Sequence, residues 1–295
     1  MKVFVTGSSA HLADALLPRL CARPDVDRVT GVDLVPARFR HSRFSATEAD
    51  IRDPRLEDLL AGHDALVHLA GVALGGVISE REMFDINVNG GHKVFHSARR
   101  AGVRRLIYVS SAAVYGSGVH LPEAAPLKPS PQLPFARHQA HLEQLLAIEF
   151  PECVRLRPQF VLGPHARPAL QRLFRLPFYL SMPEPHPLLQ CVHEDDAARA
   201  IVLALEREVR GPFNLAIDDN FNLREIAKRR HRLAMPLPAF AARGGLRLAR
   251  RWSGWDGDPA WLERLTHTLL VNCRRAAVEL GWRSTHDAAS ILAQS

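Results

Sequence analysis

Apolar, partly β-branched residues at Lys2–Thr6 give way, after a short turn, to apolar positions at Leu12, Ala15, Leu16 and Leu20. Spacings of three and four place those four on one helix face, so the chain opens as strand, turn, helix. The alternation recurs. Val29–Asp33 reads as a second strand ending in an acid, a third short strand lies near Phe44, and Pro54–Leu60 suggests a short helix. Ala65–Leu69 reads as a buried strand, and Glu80–Arg100 has helical spacing through Phe84, Val88, Val94, Phe95 and Ala98. Leu106–Val109 is the next strand, followed by a helix around Phe135–Phe150 and a strand at Val154–Leu156. Strands alternating with helices predict an α/β fold with a parallel sheet covered on both faces. Right-handed crossovers and the early turn favour a doubly wound, Rossmann-like sheet.

Beyond Gly163-Pro164 the pattern loosens. Prolines at 164, 168, 177, 183, 185 and 187 mark a loop-rich excursion, with a short helix expected around Ala169–Arg175. Leu188–Val192, a helix at Asp195–Leu205, and Phe213–Ala216 return to the sheet. Asn222 is placed to cap a helix over Leu223–Arg230, with Glu225 at the third position of a loose capping box. The remainder through Trp282 reads as helical. The expected organisation is a dinucleotide-binding domain over 1–164 and 188–217, with 165–187 and 218–295 forming a small, mostly helical substrate cap. No internal repeat or low-complexity tract interrupts it.

Composition narrows the classes. The 295 residues carry a net charge of +7, yet only four of the 38 basic residues are Lys, which reads as a coding bias toward Arg. The basic clusters Lys228, Arg229, Arg230, Arg232 and Arg247, Arg250, Arg251 lack interleaved aromatics and a nucleic-acid motif. They are compatible with a small anionic substrate, and nucleic acid is not expected. No apolar run reaches the ~18 residues of a membrane span. The first strand begins at Lys2, so no leader is expected. Cys21, Cys153, Cys191 and Cys273 are far apart without a CxxC pair, as for free thiols in a reducing cytoplasm.

Val3-Phe4-Val5-Thr6-Gly7-Ser8-Ser9-Ala10-His11-Leu12-Ala13 resembles the Thr-Gly-x-x-Gly-x-x-Gly turn of the extended short-chain dehydrogenase/reductase superfamily, epimerase/dehydratase type. The resemblance continues through Asp33, Asp50-Ile51, His68-Leu69-Ala70-Gly71, Ile86-Asn87-Val88-Asn89-Gly90 and Tyr108-Val109-Ser110-Ser111. It extends through Leu156-Arg157-Pro158, Val192-His193-Glu194-Asp195-Asp196, Phe213-Asn214-Leu215 and Glu279-Leu280-Gly281-Trp282. It implies a nicotinamide dinucleotide site formed by Gly7, Ser9, Ala10, His11, Leu12, Asp33, Asp50, Ile51, Ala70, Gly71 and Asn87. Asp33 at a strand end favours NAD(H), since it can accept hydrogen bonds from an adenosine ribose. Arg38 and Arg40 leave NADP(H) as the alternative. Ala10 and Ala13 replace two glycines of the turn, and a Cβ at the first pushes the pyrophosphate away. The resemblance also implies a homodimer through the helices near Glu80–Arg100 and Phe135–Phe150.

The same resemblance places Ser111 at the substrate's reacting oxygen and Tyr115 in the pocket wall. Ala112 and Ala113 stand where sugar-nucleotide dehydratases hold an acid–base pair. The family's proton-transferring Tyr, and the Lys one turn later that lowers its pKa, are Phe135 and Gln139 here. The remaining tyrosines (Tyr108, Tyr115, Tyr179) have Ala112, Val119 and Pro183 four residues on, so no displaced pair exists. Glu143, four beyond Gln139, supports the register. His138 is a candidate substitute at the pocket's edge, although such a helix histidine is more often exposed; His141 and His120 are further titratable groups nearby. His193-Glu194-Asp195-Asp196 lacks the second His of a zinc motif, and no metal cluster is expected. Three readings stay open: a divergent oxidoreductase with weak conventional activity, a nucleotide- or metabolite-binding pseudoenzyme acting as sensor or partner subunit, and a non-redox catalyst reusing the pocket.

Overall fold

Strand–helix alternation becomes a single parallel sheet because every strand must reach its neighbour by a crossover that leaves a helix on one face. The computed structural model describes residues 1–73, 78–166, 178–180, 186–229, 233–235 and 264–294. Its strands are β1 (Lys2–Thr6), β2 (Arg28–Asp33), β3 (Phe44–Glu48), β4 (Ala65–His68), β5 (Arg105–Val109), β6 (Gly118–Leu121) and β7 (Val154–Pro158). There follow β8 (Phe160–Leu162), β9 (Phe178–Leu180), β10 (Cys191–His193), β11 (Gly211–Leu215), β12 (Leu233–Met235) and β13 (Leu269–Val271). The main sheet has seven strands in the order β11-β7-β5-β4-β1-β2-β3, all parallel. The order reverses between β1 and β4, where doubly wound sheets open a crevice at the strands' C-terminal ends.

Both faces are covered. On one, helix α1 (His11–Cys21) packs its Leu16 and Leu20 against Val3, Val5 and Val67 of the sheet. Between α1 and the later helix Glu194–Glu206 the packing is direct. Trp282 closes this core, its indole N–H donating to the Asp196 carbonyl at 2.8 Å. On the other face Val94, Phe95, Leu142 and Leu146 meet Phe4, Leu66 and Tyr108. The short α2 (Leu56–Leu60) begins two residues later than spacing predicts.

The expected helix Glu80–Arg100 is one run of three parts: α3 (Glu80–Phe84), a π segment (Asp85–Gly90) and α4 (Gly91–Arg100). Ser79 caps it, its Oγ accepting the Glu82 N–H at 3.1 Å. The widened π turn is a device often found at functional sites. Helix α5 (Pro134–Glu149) starts on Pro134, whose missing N–H is harmless at that position. Helix α6 is Glu194–Glu206, α7 Leu223–Arg229 and α8 Ala288–Gln294. The capping box forms as expected, with the Glu225 N–H donating to Asn222 Oδ1 at 2.8 Å and the Asn222 N–H to Glu225 Oε2 at 3.4 Å.

The C-terminal region differs from the helical expectation at β13, which pairs with β6 about 150 residues upstream. Leu269, Leu270 and Val271 are all buried there, so a non-local partner overrides local preference. The helix expected at Ala169–Arg175, the basic cluster Arg247, Arg250, Arg251, and Arg230 and Arg232 lie outside the described residues. The four cysteines are free, and among the described residues no helix is long and apolar enough to cross a membrane.

Candidate functional site

The turn after β1 is shaped by Gly7. Its φ is +76°, and a Cβ there would stand 2.6 Å from the Ala70 backbone nitrogen after β4. No side chain fits, so the two strand ends at the switch point can approach only through glycine. Ala10 sits in extended conformation at the N-cap of α1, without a side-chain cap. Asp33 ends β2 with its carboxylate held by backbone: Oδ2 accepts the Ser9 N–H at 2.9 Å and Oδ1 the Leu34 N–H at 2.7 Å. Both oxygens keep acceptor capacity. Ser8 Oγ, on the same turn, is buried with no hydrogen-bond partner among the described residues.

Asp50 differs from its expected availability. Arg52 claims both of its oxygens, at 3.0 and 2.6 Å, and also reaches Asp85 at 2.8 Å. That hydrogen bonding holds the Asp50 carboxyl below the ordinary carboxylate range. Ile51 is buried, and Gly90 of the π segment is tucked against it. Asn87, in that segment, brackets Val72 from both sides, accepting its N–H at 2.7 Å and donating to its carbonyl at 2.8 Å. Gly71 lies so close that a Cβ would be 3.2 Å from Asn87 Oδ1. Asn87 therefore sets the loop after β4 rather than merely lining it. Arg38 pairs with Asp14 at 3.3 Å, and Arg40 donates to the Ala37 carbonyl.

One cleft runs from the turn to the end of β5. Ala10, His11 and Leu12 line one end, and Ser111 and Phe135 lie in the same cavity of about 170 Å³. Ser111 caps the 3-10 turn Ala112–Tyr115, its Oγ accepting the Ala113 N–H at 3.2 Å. Gln139 is buried one turn beyond Phe135, and among the described residues its Oε1 has no hydrogen-bond partner.

Two expectations need correction. His138 is buried rather than exposed, and it does not line the cleft. Its ring stands edge-on to Phe84 at 5.4 Å, in a depression shared with Glu80, Arg137 and His141. Burial, then the Arg137 charge, push its pKa down. The i+3 position turns it toward α3, because that helix lies against α5. Tyr115 is also not a wall residue. Its hydroxyl donates to Asn214 Oδ1 at 2.8 Å and accepts from Arg157 at 2.5 Å, and burial raises it to about 12. Arg157 is in turn forked onto Glu143, which also accepts from Ser110 at 2.5 Å. This buried network fixes the end of β5 beneath Ser111.

The cleft's remaining wall escaped sequence reasoning. Arg264 is buried there, and among the described residues its one hydrogen bond is to Gln159 Oε1 at 2.7 Å. Its Nε has no partner, and burial lowers the guanidinium to about 10. Glu194, also buried in the wall, accepts from His165 Nδ1 at 2.6 Å. Arg264 belongs to no motif. Glu194 lies within a motif, but only its lack of a zinc partner was informative. A further departure concerns metals: among the described residues His92, His96 and Glu149 converge, although spacing predicts no metal cluster. The third member is 53 residues from the second, so only the packing of α4 on α5 unites them.

The profile of the NAD dependent epimerase/dehydratase family matches residues 3–216. The chain belongs to that family. An uncharacterised protein of Mycobacterium tuberculosis is 28% identical over 305 residues, spanning 95% of this chain and 79% of the relative. A UDP-glucose 4-epimerase of Klebsiella pneumoniae is 33% identical over 135 residues, spanning 41% of this chain and 97% of the relative. Among solved structures, MoeE5 in complex with UDP-glucuronic acid and NAD has a TM-score of 0.78 at 20% identity, covering 100% of this chain and 97% of that one. The UDP-glucuronic acid 4-epimerase of Bacillus cereus in complex with NAD has a TM-score of 0.78 at 18% identity, with the same coverage. At such identity these structures show the shared extended short-chain dehydrogenase/reductase fold.

Proposed function

We propose that this family member binds a nicotinamide dinucleotide, NAD(H) in preference to NADP(H), beside an anionic metabolite, while conventional epimerase or dehydrogenase turnover is weak or absent. The observation that carries this reading is that Phe135 occupies the same cleft as Ser111 and the phosphate turn. The residues present fit the dinucleotide. Asp33 offers fixed acceptors to a ribose beside the turn. Ala10 opposes tight approach of a pyrophosphate, so the affinity is modest.

Bound in this cleft, the nicotinamide supplies hydride chemistry. Ser111 can hydrogen-bond a substrate oxygen, and Gln139 can pair with a ribose hydroxyl as a neutral carboxamide. Phe135 can neither give nor take a proton, and Gln139 carries no charge to lower a neighbour's pKa. Removing a general acid costs roughly 10²–10⁴-fold in rate. Arg264, buried and without a carboxylate partner among the described residues, suits a phosphate or carboxylate on the metabolite. The UDP-sugars of the structural relatives supply the first substrate class to test. Glu194 favours a second reading, because it places a carboxylate, hydrogen-bonded to His165, on the cleft wall. In that reading it moves the proton that Phe135 cannot, and Glu194→Gln would abolish whatever turnover the wild type has.

Titration calorimetry with both dinucleotides, oxidised and reduced, tests the cofactor; no binding at millimolar concentration would refute it. Wild type and Phe135→Tyr/Gln139→Lys are then compared across UDP-sugars and ketones. Turnover is expected only in the double variant. Robust wild-type turnover insensitive to Glu194→Gln would overturn both readings of the missing acid.

A further inference from the structure

We propose that His92, His96 and Glu149 form a binding site for one divalent transition-metal ion, of the zinc type, that ties α4 to the end of α5. His92 and His96 lie four apart on α4, so one helix face presents both rings. Their Nε2 atoms are 3.1 Å apart, and each also meets a different oxygen of Glu149, at 3.0 Å from His92 and 2.9 Å from His96. Two imidazole nitrogens and one carboxylate thus form a closed triangle, with the side chains about one-third exposed.

The separation of the two Nε2 atoms, and of each from its nearer Glu149 oxygen, is close to the edge of a coordination tetrahedron. With bonds of ~2.0–2.1 Å, neighbouring ligand atoms stand roughly 3.3–3.4 Å apart. Opening each contact by a few tenths of an ångström admits the ion, and the partial exposure leaves its remaining position to water. Nitrogen donors select against magnesium and calcium, which take oxygen ligands, and favour zinc, cobalt or nickel. If each Nε2–H donates to its own Glu149 oxygen, the two rings face each other donor against donor at 3.1 Å, whereas a cation between them meets both lone pairs.

The supports are rigid. The His96 ring stands edge-on to Phe150 at 5.1 Å, and the two histidine rings are mutually T-shaped at 4.4 Å. Arg99 lies over Phe150 at 3.7 Å and donates to the Glu149 carbonyl, fixing the residue that supplies the carboxylate. None of the three ligands lines the cleft of Ser111 and Phe135. The site is therefore a staple between two helices of the second core, independent of the proposed chemistry. Such His₂–carboxylate sets with an open position hold zinc in other proteins, including catalytic ones.

The test uses the full chain without a histidine tag, stripped with a chelator and titrated with Co²⁺, then Zn²⁺. One equivalent of Co²⁺ is expected to bind with a visible d–d absorption band, displaced by Zn²⁺ and not by Mg²⁺. At a Zn²⁺ concentration a hundredfold above Kd, Tm should rise by about 5 °C. His92→Gln and Glu149→Gln should each weaken Zn²⁺ binding at least ~30-fold, while His141→Gln, an exposed histidine elsewhere on α5, should change nothing. His92 decides if His96→Gln fails to fold, since it is His96 that packs on Phe150. Absence of binding at 100-fold protein excess over a micromolar Kd, or binding kept within about threefold in His92→Gln, overturns the proposal. So does equal binding of Mg²⁺.

Discussion

Replacing Arg264 by Met separates what that residue does for the fold from what it does for the cleft. In the folded chain burial holds its guanidinium well below the ordinary value, at about 10. That difference corresponds to roughly 3 kcal/mol against the charged form. Met keeps most of the apolar stem, and it leaves Gln159 Oε1 without its donor, a cost of about 1 kcal/mol. Net, Arg264→Met should stabilise the free protein by about 2 kcal/mol, raising Tm by roughly 4 °C. The sign is independent of pH in the accessible range. A base whose folded pKa lies below its unfolded value carries its penalty wherever it stays charged, and here that holds at every pH below about 10. Differential scanning calorimetry between pH 6 and 8, with and without UDP-glucuronate, reads both effects. The variant should gain stability alone and lose the stabilisation by ligand that the wild type shows. A variant destabilised by more than ~1 kcal/mol, or one still stabilised equally by the anion, would refute the reasoning.

Asp196 makes the opposite prediction. Burial alone would raise its carboxyl, but hydrogen bonds from Arg199, His286 and Thr285 outweigh that and hold it far below the ordinary carboxylate range. Ser284 adds a fourth partner at 3.0 Å, so Asp196 anchors the segment that follows Trp282. Asp196→Asn should cost about 3 kcal/mol in urea unfolding at pH 7. Because a depressed acid contributes its stability above the unfolded value and loses it as pH falls toward the folded one, the wild type should weaken more steeply below pH ~4 than the variant does. Equal acid sensitivity in both would show that Asp196 is not the group responsible. Ala10→Gly removes the Cβ beside the turn at little cost to the α1 N-cap, and calorimetry should show NAD binding tightened about tenfold. A Kd within twofold of wild type would mean that the Cβ does not limit approach.

Much of the fold was legible because the signals are local. Period-two and period-3.6 spacing marked each strand and helix of the main sheet; Gly7 and Asp33 stood out by their place in a turn or at a strand end, and Ser111 and Phe135 through the family resemblance. Where local reasoning stopped, the cause was a partner distant in the chain. β13 became a strand because β6 was there to pair with it. His138 was buried by Phe84, a residue on a helix more than fifty positions earlier.

The sequence by itself determined an α/β doubly wound sheet, a tight turn after β1 that keeps Gly7, and the identities of Phe135 and Gln139 one helical turn apart on α5. These follow from neighbours in the chain, whose relative positions backbone geometry alone dictates. Only the tertiary structure decided that Arg264 and Glu194 face Ser111's cleft, that Tyr115 belongs to the Glu143–Arg157 network, and that His92, His96 and Glu149 meet. Those juxtapositions depend on which faces pack, and packing is set by the whole core rather than by any one segment.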